Sequence, residues 1–569
     1  MADQEPRVQR YFVEVSAESA AAMRALSGRG LDLFRATVAG ADDGVTIAGY
    51  LSVTEIGGLA EDGYTVTVQA VRETPPLEIA PPKASAIAAQ DVETFSVPAG
   101  YLTYSQIEGW ISSMVRLSPA FCTRVQLPLA SVEGRAISAL RIRAGDRAER
   151  DGVLLLGGAH ARELINPDLL CHWMYHLTSA YRKDTDLTFG PVTYSNSTVR
   201  LLLDSLDIFI VPLVNPDGRE FVMSADRMWR KNRSYNPGSD CRGVDVNRNY
   251  DFLFDSGIGT TAFPCDYQTY RGPQAFSEPE TRNIRWLLDV FPHIIGMVDV
   301  HSFGEIIAYP WGDDDNQTTD PAMNFRVPHP DRGVPNDNLY REYMPAEDLD
   351  WYRRTAGLMR DAITRVRGSV YTVQQSVSPP LLYPVSASVD DYAYSRNFVD
   401  PAKRKVRSIT IETSKPVPRG EELRGFQPVY EEARQVMVEN GPALIEFCLS
   451  VMCPGRGAAA MRTTLDRHLP ETGAVRDAYN DLMNLSPRVM EALAADPDMR
   501  AGVAKALAQL ADRSAHDHDP VLDEQAIAAL TPVVAYLAQA VPEAQPSLDV
   551  LTALAAQSVG SPISQALKS

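Results

Sequence analysis

Short apolar runs alternate with amphipathic stretches along the middle of the chain. The apolar runs are VLLLGGAH (153–160), LDIFIVPLV (206–214), IIGMVDVH (294–301) and VRSITIE (406–412). Between the first two, DLLCHWMYHLTSAY (168–181) has the apolar spacing of a helix. Continuous apolar strands separated by helices are typical of a sheet that is covered on both faces. We therefore predict an α/β fold with a mixed central sheet and helices on both faces.

The two ends of the chain have different patterns. Residues 9–73 alternate in the order β-α-β-β-α-β, which predicts a small α+β domain. A Pro- and Ala-rich stretch without periodicity follows and indicates a linker, and the C-terminal part has the Ala- and Leu-rich spacing of amphipathic helices. The predicted division is an α+β domain (1–73), a linker (74–97), the α/β domain (98–455) and an α-helical domain (456–569).

Composition and charge exclude several classes of partner. Of the 569 residues, 45% are hydrophobic and 22% charged, as is ordinary for a globular protein. The net charge of -19 would repel nucleic acid and anionic lipid, so we expect neither nucleic acid nor membrane as a partner. The N-terminal residues show no signal-peptide pattern, and no run of 18 apolar residues occurs. By default this predicts a cytoplasmic location.

Side chains that can bind a metal ion or transfer a proton stand at the ends of three of the apolar runs. His160, His301 and Glu412 are the final residues of their runs, and ligands bind at the carboxyl ends of strands in such sheets. Glu163 follows His160 closely enough for one turn to bring both side chains to a single metal ion. The HxxE pattern is common by itself, but His301 adds a third ligand of the type that catalytic zinc uses.

Seven motifs occur in the order found in one enzyme family. They are HARE (160–163), VNPDG (214–218), RMWRKNRS (227–234), GVDVNRNYDF (243–252), DVHS (299–302), LYPVSASVDDYAY (382–394) and ITIE (409–412). Over residues 100–453 the chain thus resembles zinc metallocarboxypeptidases of the carboxypeptidase A/B type. The resemblance implies one Zn²⁺ per chain and hydrolysis of the C-terminal peptide bond of peptides or proteins.

The resemblance also implies roles for the residues around the metal. His160, Glu163 and His301 would be the zinc ligands, and Asp245 would orient the first ligand histidine. Glu412 would take a proton from the water that zinc binds and pass it to the leaving amine.

Substrate-binding roles follow from the same motifs. Arg230 would stabilise the oxyanion, and Asn247 and Arg248 would clamp the free C-terminal carboxylate. Arg162 resembles an auxiliary contact to the substrate, and Tyr383 resembles the mobile tyrosine that closes over it.

The position that lines the bottom of the family's side-chain pocket falls on Asp390. A carboxylate there would pair with a C-terminal Lys or Arg, so we predict a preference for basic residues. Two alternatives stay open, namely a register shifted by one to Asp391 and a contribution to the charge from Asp299.

Two features bear on processing and compartment. The N-terminal domain resembles an inhibitory pro-segment that would be removed by cleavage in the linker, for example at Lys83; the alternative is a permanent accessory domain. Cys241 and Cys265 flank their segment as a disulfide pair does in secreted relatives. That pair is typical of an oxidising compartment, whereas the N-terminal residues indicate a cytoplasmic location, so secretion stays open as the alternative to the cytoplasmic default.

Two other functions compete with peptide hydrolysis. One is a zinc amidohydrolase of the same fold, acting on a peptidoglycan stem peptide or a side-chain amino acid. The other is a catalytically dead binding or scaffold protein, against which the presence of Glu412 and all three ligands weighs.

The helical domain indicates no chemistry and no particular partner. We further expect residues 312–350 to form a rim or lid and DDDN (313–316) to be a solvated turn.

Overall fold

The structure is a computed structural model. It describes residues 10–19, 22, 26, 31–33, 39–41, 44–69, 77–81, 99–145, 150–334, 339–376, 383–418, 420–452, 473–484, 524–557, 559 and 561.

The secondary structure is numbered below in chain order. The strands are β1 (Arg10–Ala17), β2 (Asp32–Leu33), β3 (Ala39–Ala41), β4 (Gly44–Ser52), β5 (Thr65–Val68), β6 (Cys122–Gln126), β7 (Ser138–Ile142), β8 (Asp151–Gly157), β9 (Leu187–Phe189), β10 (Val192–Tyr194), β11 (Leu206–Val211), β12 (Ile294–Ser302), β13 (Ile306–Tyr309), β14 (Gln317–Thr318), β15 (Glu342–Tyr343), β16 (Thr372–Gln375) and β17 (Arg407–Thr413). The helices are α1 (Val53–Glu61), α2 (Tyr104–Leu117), α3 (Ile165–Lys183), α4 (Asn196–Ser205), α5 (Pro216–Ser224), α6 (Pro279–Val290), α7 (Ala346–Arg367), α8 (Val389–Val399), α9 (Glu422–Phe426), α10 (Tyr430–Met452), α11 (Ala474–Asn484), α12 (Glu524–Ala540) and α13 (Gln545–Gln557).

An eight-stranded mixed sheet forms the centre of the molecule. Its strand order is β16-β13-β17-β12-β8-β11-β7-β6. Strands β17, β12, β8 and β11 run parallel. Strand β13 is antiparallel to β17 and parallel to β16, and β7 is antiparallel to both β11 and β6. Helices α3 and α10 pack against β8 and β12, and α8 packs against β12 and β17. Every residue of β11 is buried, as expected for a strand covered on both faces. The predicted α/β fold is confirmed.

The register of the central strands brings the candidate residues together. His301 on β12 lies directly opposite Glu412 on the parallel strand β17. On the other side of β12 lies β8, and the chain leaves β8 at Gly157, three residues before His160. The carboxyl ends of three adjacent strands therefore meet at one edge of the sheet.

The N-terminal residues form a separate antiparallel sheet. Its order is β2-β4-β1-β5, with β3 also on β4, and all pairs are antiparallel. Helix α1 lies between β4 and β5, as predicted. Of the residues between β1 and β2, where the first helix was predicted, Ala22 and Leu26 are described and both are helical. The predicted domain boundaries stay predictions.

The first two residues of the acidic run DDDN (313–316), in the long connection between β13 and α7, are buried, so the predicted solvated turn is wrong. The side chains of Asp313 and Asp314 are 0% exposed. The Nε atom of Arg332 lies 3.2 Å from Oδ2 of Asp313, and Gly333 N donates to Oδ2 of Asp314 at 2.9 Å. These partners come from 19 residues further along the connection and replace water. The connection also has structure of its own, because β14 pairs with β15 and α7 begins at Ala346.

None of the helices in the described part of the chain is long and apolar enough to cross a membrane. Within the predicted C-terminal domain, the described ranges 473–484 and 524–557 are mostly helical and contain α11, α12 and α13.

Candidate active site

Three predicted zinc ligands converge on one point. Nδ1 of His160 lies 2.8 Å from Oε1 of Glu163 and 3.1 Å from Nδ1 of His301, and Nδ1 of His301 lies 3.0 Å from Oε2 of Glu163. All three residues are buried, and among the described residues they are the only group of three or more potential metal ligands. Two imidazole nitrogens that face each other across a carboxylate are the donor set of a catalytic zinc site. These residues therefore fit Zn²⁺.

A sharp turn after β8 places the first two ligands. Gly158 has φ 67°, and a Cβ atom there would lie 2.8 Å from Cδ1 of Leu213. Asn215 caps α5 through Gly218 N and also donates to the carbonyl of Ala159 at 3.1 Å. A Cβ atom on Gly218 would lie 2.7 Å from Cβ of Ala161, so glycine allows this close approach. The VNPDG motif thus supports the HARE turn.

Two carboxylates orient the ligand histidines from behind. Oδ1 of Asp245 lies 3.2 Å from Nε2 of His160, in ion-pair contact without hydrogen-bond geometry. Oδ2 of Asp299 lies 2.6 Å from Nε2 of His301. The sequence analysis missed this role, although Asp299 stands two residues before His301 and therefore on the same face of β12. Asp299 is not among the residues that line the cavity, and its suggested contribution to the charge there stays a prediction.

Burial and neighbouring charges shift the pKa values of the site residues in opposite directions. Burial would raise the pKa of Glu163, but His160 and His301 hold it well below its usual range. Burial would lower the pKa of His301, but Asp299 and Glu163 raise it well above its usual value. Burial raises the pKa of Glu412 to about 8, against the opposing charge of His301. A bound metal cation would favour the ionised form of this carboxylate.

A cavity of about 140 Å³ opens beside the ligands. The predicted site residues that line it are His160, Arg230, Asn247, Arg248, His301, Tyr383, Asp390 and Glu412. The sequence analysis missed Ala308, Ser376, Val385, Ser388 and Thr410, which also line it. Small apolar and hydroxyl side chains give no sequence signal for binding, so only the fold could identify them.

Asp245 also anchors the polar side chains of the cavity. Its Oδ2 accepts from Nε and Nη2 of Arg230 at 3.1 and 3.0 Å, and its Oδ1 accepts from Asn247 N at 3.0 Å. Oδ1 of Asn247 accepts from Val389 N at 2.8 Å. Nη1 of Arg248 donates to the carbonyl of Asn247 at 2.6 Å. One buried carboxylate thus positions the residues predicted to bind the oxyanion and the C-terminal carboxylate.

Arg162 does not line the cavity. Its guanidinium donates to the carbonyl of Met228 at 3.2 Å and to Oε1 of Gln268 at 2.8 Å, and it lies 4.4 Å over the ring of Phe426. Gln268 in turn donates to Asp32 on β2. The predicted substrate contact of Arg162 stays a prediction, because in this structure the residue faces the N-terminal sheet.

The two adjacent aspartates of α8 point to different places. Asp390 lines the cavity, whereas both carboxylate oxygens of Asp391 accept from Gly312 N, at 3.1 and 3.0 Å. The geometry therefore favours the predicted register, with Asp390 facing a substrate side chain. Nearby, Cys241 and Cys265 form a disulfide. That bond is typical of oxidising compartments, and the location of the protein stays a prediction.

These features define the site as that of a zinc-dependent hydrolase: two histidines and a glutamate as ligands, with a further carboxylate and an arginine facing the same cavity. A family model described as "Zinc carboxypeptidase" matches residues 107–440. The chain therefore belongs to the zinc carboxypeptidase family, whose metal is zinc.

Individual relatives agree with this assignment. Carboxypeptidase B of Astacus astacus is 30% identical over 296 residues, covering 52% of this chain and 81% of the relative. Mast cell carboxypeptidase A of Rattus norvegicus is 33% identical over 216 residues, covering 38% of this chain and 48% of the relative, so the match spans about half of that protein.

Solved structures share the fold. Carboxypeptidase A from Helicoverpa armigera superposes with a TM-score of 0.55 and 21% identity, covering 79% of this chain and 98% of the other. Thrombin-activatable fibrinolysis inhibitor superposes with a TM-score of 0.54 and 19% identity, covering 78% and 99%. At these identities the likeness extends to the fold alone.

Proposed function

We propose that this protein is a metallocarboxypeptidase that removes the C-terminal residue from peptides or proteins. One observation carries the proposal: Glu412, Arg230, Asn247 and Arg248 line the same cavity as the ligand histidines. A base, an oxyanion donor and a pair of carboxylate binders beside a metal are what exopeptidase hydrolysis requires.

The residues divide the reaction between them. Bound zinc supplies a Lewis acid that polarises the scissile carbonyl and acidifies water. Glu412 accepts the proton of the attacking water and delivers it to the leaving amine. Arg230, held by Asp245, donates hydrogen bonds to the oxygen that becomes negative.

The substrate's free carboxylate sets the position of cleavage. The guanidinium of Arg248 and the amide of Asn247 bind that carboxylate, so only the last peptide bond reaches Glu412. Tyr383 lines the cavity next to residues 377–382, which lie outside the described part of the chain, and it closes over the bound substrate.

Asp390 supports a preference for C-terminal Lys or Arg. It is 5% exposed, lines the cavity and places a carboxylate where the substrate's side chain enters. Leaving a buried charge without its partner costs about 2 kcal/mol or more.

Asp390→Asn is expected to lower kcat/KM for peptides that end in Lys or Arg by about 30-fold or more. Release of C-terminal Leu should fall far less, because an apolar side chain makes no ion pair. Asp320→Asn, at an exposed position of the rim, is the matched control and should change neither rate. Turnover of Leu equal to or above that of Lys in the wild type would reject the basic preference.

A substrate panel also separates peptide hydrolysis from its rivals. Release of amino acids from peptidoglycan stem peptides or from side-chain conjugates, without release from ordinary peptides, would favour the amidohydrolase alternative. Zinc binding with no hydrolysis of any of these would favour the scaffold alternative.

We also propose that the N-terminal sheet acts as an inhibitory pro-segment. It contacts the chain around the site through polar groups: Nε of Arg10 donates to Asp226 at 3.1 Å, and Tyr50 donates to Glu422 at 2.8 Å. Gln268 bonds both Asp32 and Arg162, which stands between two zinc ligands. The sheet therefore lies against residues that border the metal site.

Apolar side chains complete this contact. Phe12 and Tyr50 of the N-terminal sheet join one cluster with Met228, Phe303 and Phe426. Met228 comes two residues before Arg230, and Phe303 comes two residues after His301. A large substrate would have to displace this cluster to reach the cavity from that side.

Limited trypsin cleavage in the linker is expected to raise peptidase activity at least about tenfold, because release of the sheet uncovers Arg162. The measurement is C-terminal residue release before and after cleavage, with the cut mapped by mass spectrometry. Lys83, which lies outside the described residues, is the predicted site, so Lys83→Gln should delay both cleavage and activation. Unchanged activity after complete cleavage would make the sheet a permanent accessory domain.

A further inference from the structure

Within the described part of the chain, hydrogen-bond donors reach only one carboxylate oxygen of Asp390. Its Oδ2 accepts from Oγ1 of Thr410 at 3.1 Å and lies 3.3 Å from Oγ of Ser376. Ser376 Oγ also lies 3.1 Å from the carbonyl of Tyr309, so its single proton is divided between two acceptors. Among the residues that the structure describes, none donates to Oδ1 of Asp390. One carboxylate oxygen is therefore left for a substrate.

This arrangement treats the two basic side chains differently. A guanidinium binds a carboxylate best through two parallel hydrogen bonds, one to each oxygen. Here Thr410 and Ser376 both direct hydroxyl groups at Oδ2, which accepts about two hydrogen bonds, so the second guanidinium bond would have to displace one of them. An ammonium is a point charge with three donors that rotate freely. It can bind Oδ1 and use the hydroxyl oxygens of Ser376 and Thr410 as further acceptors.

Among the described residues, the only other carboxylate that lines this cavity is that of Glu412, which is proposed to act on the water at the metal. Both oxygens of Asp391 are engaged by Gly312 N, and Asp299 is bonded to His301 on the other side of the ligand. Ala308 and Val385 also line the cavity, and their side chains accept no hydrogen bonds. A guanidinium would thus meet one free carboxylate oxygen with its five N–H groups.

We propose that Thr410 and Ser376 make this cavity selective for C-terminal lysine over C-terminal arginine. They act by occupying Oδ2 of Asp390, so that the carboxylate offers one oxygen instead of two. The inference rests on the proposed carboxypeptidase function and on Asp390 as the residue that meets the substrate side chain. The expected preference is about tenfold in kcat/KM, the effect of one charge-assisted hydrogen bond.

The test compares three peptides that differ only in their last residue, Lys, Arg or Leu. It uses the full chain and the trypsin-cleaved form with trypsin inhibited, and it records kcat/KM for each peptide. The variants are Thr410→Val, which keeps the shape of the side chain and removes its hydroxyl, Ser376→Ala and the double variant. Thr372→Val, at an exposed position on β16, is the control. Release of Leu reports whether each variant is folded and active.

We expect a Lys-to-Arg ratio of about ten in the wild type and in Thr372→Val. Each hydroxyl deletion should lower the ratio at least threefold, and the double variant should bring it to about one or below. A wild-type ratio of one or less, with Lys and Arg both well above Leu, overturns the inference and leaves the basic preference standing. An unchanged ratio in the double variant, with Leu release retained, also overturns it. Preference for Leu, or no release of any residue, instead rejects the proposed function itself.

Discussion

Glu412→Gln is expected to lower kcat for C-terminal residue release by about 10²–10⁴-fold, the usual contribution of a general base and acid. Glutamine has nearly the same shape as glutamate but neither accepts nor delivers a proton. The side chain lies opposite His301 on the neighbouring strand and lines the cavity, so it reaches a water beside the metal site without being one of the three ligands. Zinc content should therefore stay at one ion per chain.

The comparison needs both activity and metal analysis on the same preparations. Glu347→Gln, at an exposed position in the first turn of α7, is the matched control and should keep full activity. Loss of zinc in Glu412→Gln would mean that Glu412 is a ligand. Retained hydrolysis in Glu412→Gln would overturn the proposed mechanism.

Removal of zinc is expected to abolish peptide hydrolysis, and added Zn²⁺ should restore it. His301→Asn should weaken zinc binding by more than about 100-fold, which exceeds the loss caused by removing an outer hydrogen-bond partner of a ligand. The substitution removes one of three ligands and also leaves Asp299 buried without its imidazole partner. Zinc content after dialysis against a weak chelator is the measurement.

His329→Asn is the control for the metal experiment, because this histidine is partly exposed in the long connection between β13 and α7. It should retain one zinc per chain and normal activity. Full zinc content in His301→Asn would refute the assigned ligand set. Activity that survives complete removal of the metal would instead place the chemistry elsewhere in the molecule.

The metal ligands were accessible from the sequence for a physical reason. A zinc site needs side chains of a few types at chain positions that one turn or one strand end brings together. His160 and Glu163 satisfy this locally, within the turn that follows β8. His301 and Glu412 satisfy it because apolar runs predict strands, and parallel strands end at one edge of a sheet. The order of motifs then indicated the roles of Arg230, Asn247 and Arg248.

The sequence does not show which of two identical, adjacent side chains at the start of a helix faces the cavity. Asp390 and Asp391 have the same side chain, and both lie in the first turn of α8. Only the position of Gly312, from a distant segment, turns one carboxylate away and leaves the other in the cavity. Thr410 and Ser376 have no chemical signature in the sequence either, because their effect depends on which oxygen of Asp390 they bind.

The sequence by itself determined the fold class and predicted the zinc ligands and the base, because these depend on local periodicity and on residue types that few other roles require. Only the tertiary structure determined which groups lie beside each charged side chain. It paired Asp299 with His301, buried Asp313 beside Arg332 and set Arg162 against the N-terminal sheet. Except for Asp299 and His301, which stand two residues apart, these partners are well separated in the chain. A carboxylate acquires its role from the groups that replace its water.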